Sequence, residues 1–400
     1  MCCGADGPAM KKSLLHLFLF GVSGAGFFAL VLAVYASDKA LAGRLAVDLA
    51  MINLGGAVCR FGLDLAVIQR SDKTLRFGLG DALFVVPLAA MLYSLVVLGG
   101  AQNVGIISLT VLVTMVAFNE ILAAHLRNSG LQTSIYLVRI SGFLPGLALI
   151  LLADNLDGDV IEIALLLVNV GIVIGLVVIG YVRIARDQSG EGERITIRWL
   201  TERFTLVANL NSLTATLLAK ADVLVFATML SDAVIGDYSI IKQTLGVLMF
   251  VSASFNYRYA SDVRRIWQSQ SRAMFRRKFG EHAREAALLT AVGLVLAAAA
   301  LTIECQVLDL APNTPLFAAL LVAYGAFAVA STSGMYLTAM GRIGFQTIRL
   351  VGSLILFLLL AFSVNAVWPE SALVLATYSA SIATFQLLLF ANLTRLLTKL

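Results

Sequence analysis

The sequence predicts an all-α integral membrane protein of about twelve transmembrane helices. Three observations predict it. Of the 400 residues, 60% are hydrophobic and only 13% are charged, where a soluble domain carries roughly 25% charged residues. A chain so poor in charge cannot clothe itself for water, so its solvent is lipid. Apolar runs of the length that crosses a bilayer recur along the whole sequence. The basic residues fall almost entirely in alternate loops.

A membrane helix needs about 20 mostly apolar residues. Such runs lie at 14–36, 43–63, 78–99, 104–124, 131–153, 160–182, 204–229, 234–257, 286–304, 315–338, 344–364 and 371–394. The first follows Lys11 and Lys12 and superficially resembles a secretion signal. It exceeds the 7–15 residues of a signal peptide's apolar region, so it is read as a retained span.

The loop charges test this count. Of 29 Lys and Arg, only Lys39 and Arg44 fall in loops on one side, and only Arg139, Lys220 and Lys242 fall inside spans. All the others lie in segments on the opposite side, which the positive-inside rule assigns to the cytoplasm. Both termini then face the cytoplasm. The outer loops are short and acidic, with Asp154, Asp157, Asp159, Asp232 and Asp237 among their residues. None is long enough to fold as a domain.

The polar segment 183–203 divides the spans into two equal blocks. The predicted organisation is a cytoplasmic segment 1–13, a six-helix lobe 14–182, a linker 183–203, a second lobe 204–394 and a tail 395–400. In the two long cytoplasmic loops, apolar and basic residues interleave: Ile195, Ile197, Trp199 and Leu200 with Arg194 and Arg198, and Val263, Ile266, Trp267, Phe275 and Phe279 with a larger basic set. This pattern suits segments lying against anionic headgroups and is equally consistent with charge that only sets topology.

Several function classes are excluded. The net charge of +5 follows from topology, and no basic run interleaved with aromatics points to nucleic acid. No glycine-rich phosphate loop is present, and no cofactor is implied. Cys2, Cys3, Cys59 and Cys305 have no metal or redox spacing; tandem cysteines such as Cys2 and Cys3 are acylated in some proteins. His16, His125 and His282 are far apart and read as satisfied side chains. Gly171 and Gly175 form a small-xxx-small pair that lets helices pack closely. Pro87 and Pro145 should kink spans three and five.

The informative residues are charges inside spans. Each costs about 2.5–3.5 kcal/mol at the bilayer centre on the insertion scale, so each needs a partner or a wet cavity. Lys220 and Lys242 should sit at similar depth on consecutive antiparallel helices, with Asp222 near the same level. In one reading, Asp222 pairs with Lys242 and serves structure. In the other, Arg139, Lys220 and Lys242 line an aqueous cavity and attract an anion. Arg60 and Asp64 at the inner end of span two, and Glu120 near the inner end of span four, are further candidates. Asp48 and Asp81 sit near span ends and are expected to reach headgroups.

Two stretches carry a resemblance. One is Arg60-Phe61-Gly62-Leu63-Asp64 through Arg70. The other runs from Ala221-Asp222 through Gly236-Asp237-Tyr238. Both resemble motifs of the polysaccharide flippases, the O-antigen and exopolysaccharide translocases of the multidrug/oligosaccharidyl-lipid/polysaccharide exporter superfamily. The resemblance implies two six-helix lobes around a central cleft that opens alternately to the two sides of a bacterial inner membrane. It implies translocation of a polyprenyl-diphosphate-linked oligosaccharide, with polysaccharide polymerase and glycosyltransferases as neighbours in the process. The substrate-binding candidates are then Arg139, Lys220, Lys242 and Arg60, and the ion-coupling candidates are Asp222 and Glu120. The alternatives are a cation-coupled multidrug exporter of the same superfamily, a membrane-embedded polysaccharide polymerase or ligase, which the short outer loops disfavour, and a non-transporting assembly partner.

Overall fold

The structure is a computed structural model. It describes residues 26–69, 76–97, 104–153, 155–185, 193–246, 271–308, 314–340, 342–369 and 373–398, with positions 19, 22, 248, 259, 263 and 265–269. The leader with Cys2 and Cys3, His16, the start of the first span, and Lys11, Lys12, Arg70 and Asp154 lie outside these residues.

Every predicted span corresponds to a helix. In chain order these are α1 (Gly26–Ser37), α2 (Lys39–Cys59), α3 (Leu63–Gln69), α4 (Ala82–Val96), α5 (Ile106–Asn128), α6 (Gln132–Leu152), α7 (Gly158–Arg183), α8 (Arg203–Phe226), α9 (Asp232–Leu245), α10 (Arg272–Val307), α11 (Thr314–Ala339), α12 (Ile343–Val367) and α13 (Leu373–Thr398). Eight helices among the described residues are long and apolar enough to cross a bilayer: α2, α5, α6, α7 and α10 to α13. Their outward faces carry large apolar side chains, including Leu152, Leu288 and Val295. This surface is stable only against lipid.

Local chemistry sets the helix ends. Asp38 caps α2, its Oδ1 accepting from the amides of Ala40 at 2.8 Å and Leu41 at 3.2 Å. Asp157 does the same for α7 through the Val160 amide at 2.9 Å. Both satisfy donors that the first helical turn leaves without partners. At the end of the predicted second span α2 gives way to the short α3 because Phe61 and Gly62 take left-handed backbone angles, φ 52° and 71°. A Cβ on Gly62 would stand 2.8 Å from the Asn209 amide nitrogen. Glycine here both makes the turn and admits the backbone of α8.

Contacts divide the chain into two compact units. One spans Val22–Ala227 with Ser231–Gly236, and the other holds Thr228–Leu230 and everything from Asp237 onward. In the first unit α2 packs against α4, α5 and α8, and α6 packs along α7. Gly171 and Gly175 do pack closely within the bundle. A Cβ on Gly171 would lie 3.7 Å from the Cα of Gly142, and one on Gly175 would collide with Val138 at 2.7 Å. In the second unit α13 packs on α11 and α12, and α10 packs on α11.

By its contacts the seventh span, α8, groups with the first unit, whose main stretch runs to Ala227. Two features differ from the sequence-based expectation. The segment 272–285, expected on the headgroups, extends α10 by several turns. Its Phe275, Phe279 and His282 recur on one face and pack with Tyr336, Leu393 and Leu397. Asp48 is fully buried and cannot reach headgroups.

Candidate functional site

The polar cluster of the first unit grows from the α2–α3 break. Arg60 follows the last residue of α2, and its Nη2 donates to Ser212 Oγ on α8. Its Nη1 lies 3.5 Å from Asp64 Oδ2 in the first turn of α3. The left-handed turn at Phe61 and Gly62 thus sends the chain around the guanidinium.

Glu120 on α5 ties the neighbouring helices. Its Oε1 accepts from Arg139 Nη2 on α6 at 2.6 Å, and its Oε2 accepts from Arg127 Nη2 at 3.2 Å. Arg139 Nη2 also reaches Asn119 Oδ1 at 3.3 Å. Arg60 and Asp64 are near enough to Glu120 to feel its charge. Contacts of α3 with both α5 and α8 draw these groups into one cluster.

Three arginines therefore face two carboxylates, all at most half-exposed. The cluster keeps unused hydrogen-bonding capacity. Among the described residues, Arg60 Nε, Asp64 Oδ1, Arg139 Nε, Thr205 Oγ1 and Asn209 Oδ1 are buried without a hydrogen-bond partner. Buried polar atoms usually find partners, so such a group of exceptions marks strain or function. Chemically, the cluster can attract an anion through its surplus positive charge, or exchange ion-pair partners as a carboxylate is neutralised.

The sequence candidates are distributed as follows. Arg60, Arg139 and Glu120 come together in this cluster. Lys220 and Asp222 stand on α8 of the first unit, with Lys220 half-buried and Asp222 fully buried. Lys242 stands on α9 in the second unit, its Nζ 5.3 Å from the centre of the Tyr378 ring. That geometry is an attractive cation–π contact. Sequence reasoning missed Ser212, Asn209 and Thr205. Their spacing on α8 is a polar stripe at helical period, a signal present in the sequence. It also passed over Arg127 as an ordinary loop charge.

The other singled-out residues have structural partners. His282 stacks on Tyr259 with ring centres 4.1 Å apart, and its Nδ1 meets Tyr336 Oη at 2.9 Å. His125 packs edge-on to Phe77 at 5.6 Å. Asp81 accepts from the Ile197 amide at 3.0 Å, so its carboxylate is used by protein and not by headgroups. Among the described residues, no group of three or more His, Cys, Asp or Glu could hold a metal ion.

No protein-family profile matches the sequence, and no curated protein does. Solved structures match nearly end to end. An inward-facing multidrug resistance MATE family transporter of the MOP superfamily aligns with TM-score 0.64 at 12% identity, covering 96% of this chain and 95% of that one. An outward-facing form gives 0.59 at 14% identity, covering 97% and 95%. A MATE complex with Br-NRF gives 0.60 at 14%, again covering 97% and 95%.

At these identities the likeness is one of fold. The chain has the two-lobed, all-helical fold of MATE transporters and is a multi-pass membrane protein. These neighbours are multidrug transporters of the superfamily that the motifs resemble, and the polysaccharide branch rests on the motifs alone.

Proposed function

We propose that this chain is an alternating-access membrane transporter that exports amphiphilic small molecules at the expense of a cation gradient. The observation that carries the proposal is the fold likeness, over at least 95% of both chains, to multidrug resistance MATE family transporters, one inward-facing and one outward-facing. The charge geometry supports it. Stranded arginines alone would favour an anionic cargo, yet Arg139 and Arg60 each meet a carboxylate within hydrogen-bonding or ion-pair range. Both oxygens of Glu120 are occupied by arginines, which makes Glu120 a tie between helices. Asp64 and Asp222 are then the better coupling carboxylates. The loop charges favour an inner-membrane orientation with cytoplasmic termini.

One observation favours a second reading, translocation of a polyprenyl-diphosphate-linked oligosaccharide. The cluster holds one more arginine than carboxylates, and Arg60 Nε and Arg139 Nε have no partner among the described residues. That surplus suits a diphosphate, with Lys220 and Lys242 as further contacts.

Reconstituted proteoliposomes test both. The expected result is efflux of a cationic dye driven by an imposed proton or sodium gradient and reduced by Asp222→Asn. Flipping of a fluorescent lipid-linked glycan without dye efflux would establish the second reading instead. Inactivity toward both cargoes under either gradient would overturn the first.

A further inference from the structure

The segment between α7 and α8 carries an observation that the transport reading does not use. It is tied by its backbone to the loop before α4. The Arg76 amide donates to Glu193 O at 3.0 Å, the Asp81 amide to Ile195 O at 3.0 Å, and the Ile197 amide to Asp81 Oδ2 at 3.0 Å. Gly80 makes the tie possible, since its φ is +52° and a Cβ there would lie 2.3 Å from Ile195 O. The tie fixes which side chains point inward. Ile195 and Trp199 are buried at 3% and 2% exposure. Arg194, Thr196, Ile197 and Arg198 point outward.

The exposed Ile197 stands between the exposed Arg194 and Arg198 and continues toward the uncovered Leu206 and Leu210 of α8, so that apolar and cationic groups alternate along one edge. Ile197 is 57% exposed. The 3-10 turn Ile197–Thr201 leads directly into α8, whose Leu206 and Leu210 are 54% and 52% exposed. Both leucines are large apolar side chains left uncovered just beyond the strap. Arg198 lies in the 3-10 turn that runs through an extended Glu202 into α8, so it stands at the end of that helix and not within it. Arg183, at the exposed end of α7, adds a third cation to the same end of the unit. The segment's acids are Asp187, Glu191, Glu193 and Glu202; of these, Glu193 and Glu202 are among the described residues and already have partners.

We propose that Arg194, Ile197 and Arg198 form a binding site for an anionic phospholipid on the rim of the first unit, the arginines holding the headgroup phosphate and Ile197 the first acyl carbons. The strap presents these side chains on a backbone anchored to the loop before α4, so a bound lipid braces the entry to that helix. This site differs from the ordinary positive-inside bias because its side chains are held on fixed backbone and flank an apolar residue.

The test is lipid selectivity of the full chain, independent of transport. Detergent-purified protein is titrated with phosphatidylglycerol or phosphatidylcholine, and bound lipid is counted by native mass spectrometry. Each arginine near an anionic headgroup is expected to contribute roughly fivefold in preference for phosphatidylglycerol. R194Q/R198Q should then lower that preference roughly thirtyfold while leaving phosphatidylcholine binding and the elution profile unchanged. R276Q/R277Q, two exposed arginines on α10, removes the same charge and should leave the preference intact. Wild-type protein that does not distinguish the two lipids overturns the proposal. So does an equal loss in both double variants, which would assign the effect to net charge. A segment that is protected by a protein from a membrane extract but not by pure lipid would also overturn it, in favour of a protein partner.

Discussion

The two units bury polar groups in different ways. The first holds a network of ions, with Arg60, Asp64, Glu120, Arg127 and Arg139 linked across α2, α3, α5, α6 and α8. The described part of the second joins hydroxyls and aromatic rings to its few charged groups, such as Lys242 over the Tyr378 ring and Glu304 under Thr244. Thr377 and Ser381 return their hydroxyls to carbonyls on their own helix. Tyr336 meets His282, and Thr244 donates to Glu304 at 2.8 Å. Hydroxyl-to-carbonyl bonds cost little and travel with the helix. Buried ion pairs cost several kcal/mol per ion to desolvate and are rarely optimal for stability alone. The contrast is one of kind: among the described residues the first unit joins several helices through arginine–carboxylate pairs, whereas the second joins its helices mainly through hydroxyls and rings.

The largest expected effect comes from removing the tie. Glu120→Gln leaves Arg127 and Arg139 without a carboxylate. It should cost about 3–5 kcal/mol, read as a lowered unfolding temperature in detergent, together with loss of transport. Pairing it with Arg139→Gln should recover much of the stability and none of the transport. If the double variant transports normally, the network is structural and the contrast between the units carries no functional meaning.

A smaller loss is expected at the turn that organises the network. Gly62→Ala must hold φ at +71° against the Asn209 backbone, costing about 1–3 kcal/mol. Thermal unfolding would show it, and protease sensitivity should rise between α3 and α8. In the second unit, Tyr336→Phe strands the buried His282 Nδ1 and should cost about 1–3 kcal/mol without changing transport by the first-unit cluster. The smallest effect belongs to Thr244→Val, which removes one hydroxyl from Glu304. A loss of about 1 kcal/mol is expected, checked by the same unfolding measurement.

Much of the fold was legible because hydropathy and loop charge report independently on the same spans. The α6–α7 contact was visible in Gly171 and Gly175. The turn between α2 and α3 was not, because only the backbone angles of Phe61 and Gly62 reveal that the chain starts a second short helix between Arg60 and Asp64. The α10 extension was hidden by its arginines, although Phe275, Phe279, His282 and Ala286 recur at helical spacing. At the site, Arg60, Arg139 and Glu120 could be singled out by their cost in lipid. Which acid each arginine meets could not, because α5, α6 and α8 approach through long-range packing that no local pattern encodes. For the same reason the contacts of α8 with α2 and α3 could not be read from a sequence that places it after the long loop.

The length of α10 has a consequence of its own. Its 36 residues reach about 54 Å, more than the roughly 40–45 Å of a whole bilayer. Apart from Met274 near its start, its outward large apolar side chains run from Leu288 to Val307, a stretch that matches the oily layer alone. The helix therefore acts as a depth gauge. Sinking by one turn would drag Arg284 among acyl chains, and rising by one turn would lift Ile303 and Val307 into water. Bilayers of different thickness must adapt to this helix by tilting it, since sliding is penalised in both directions.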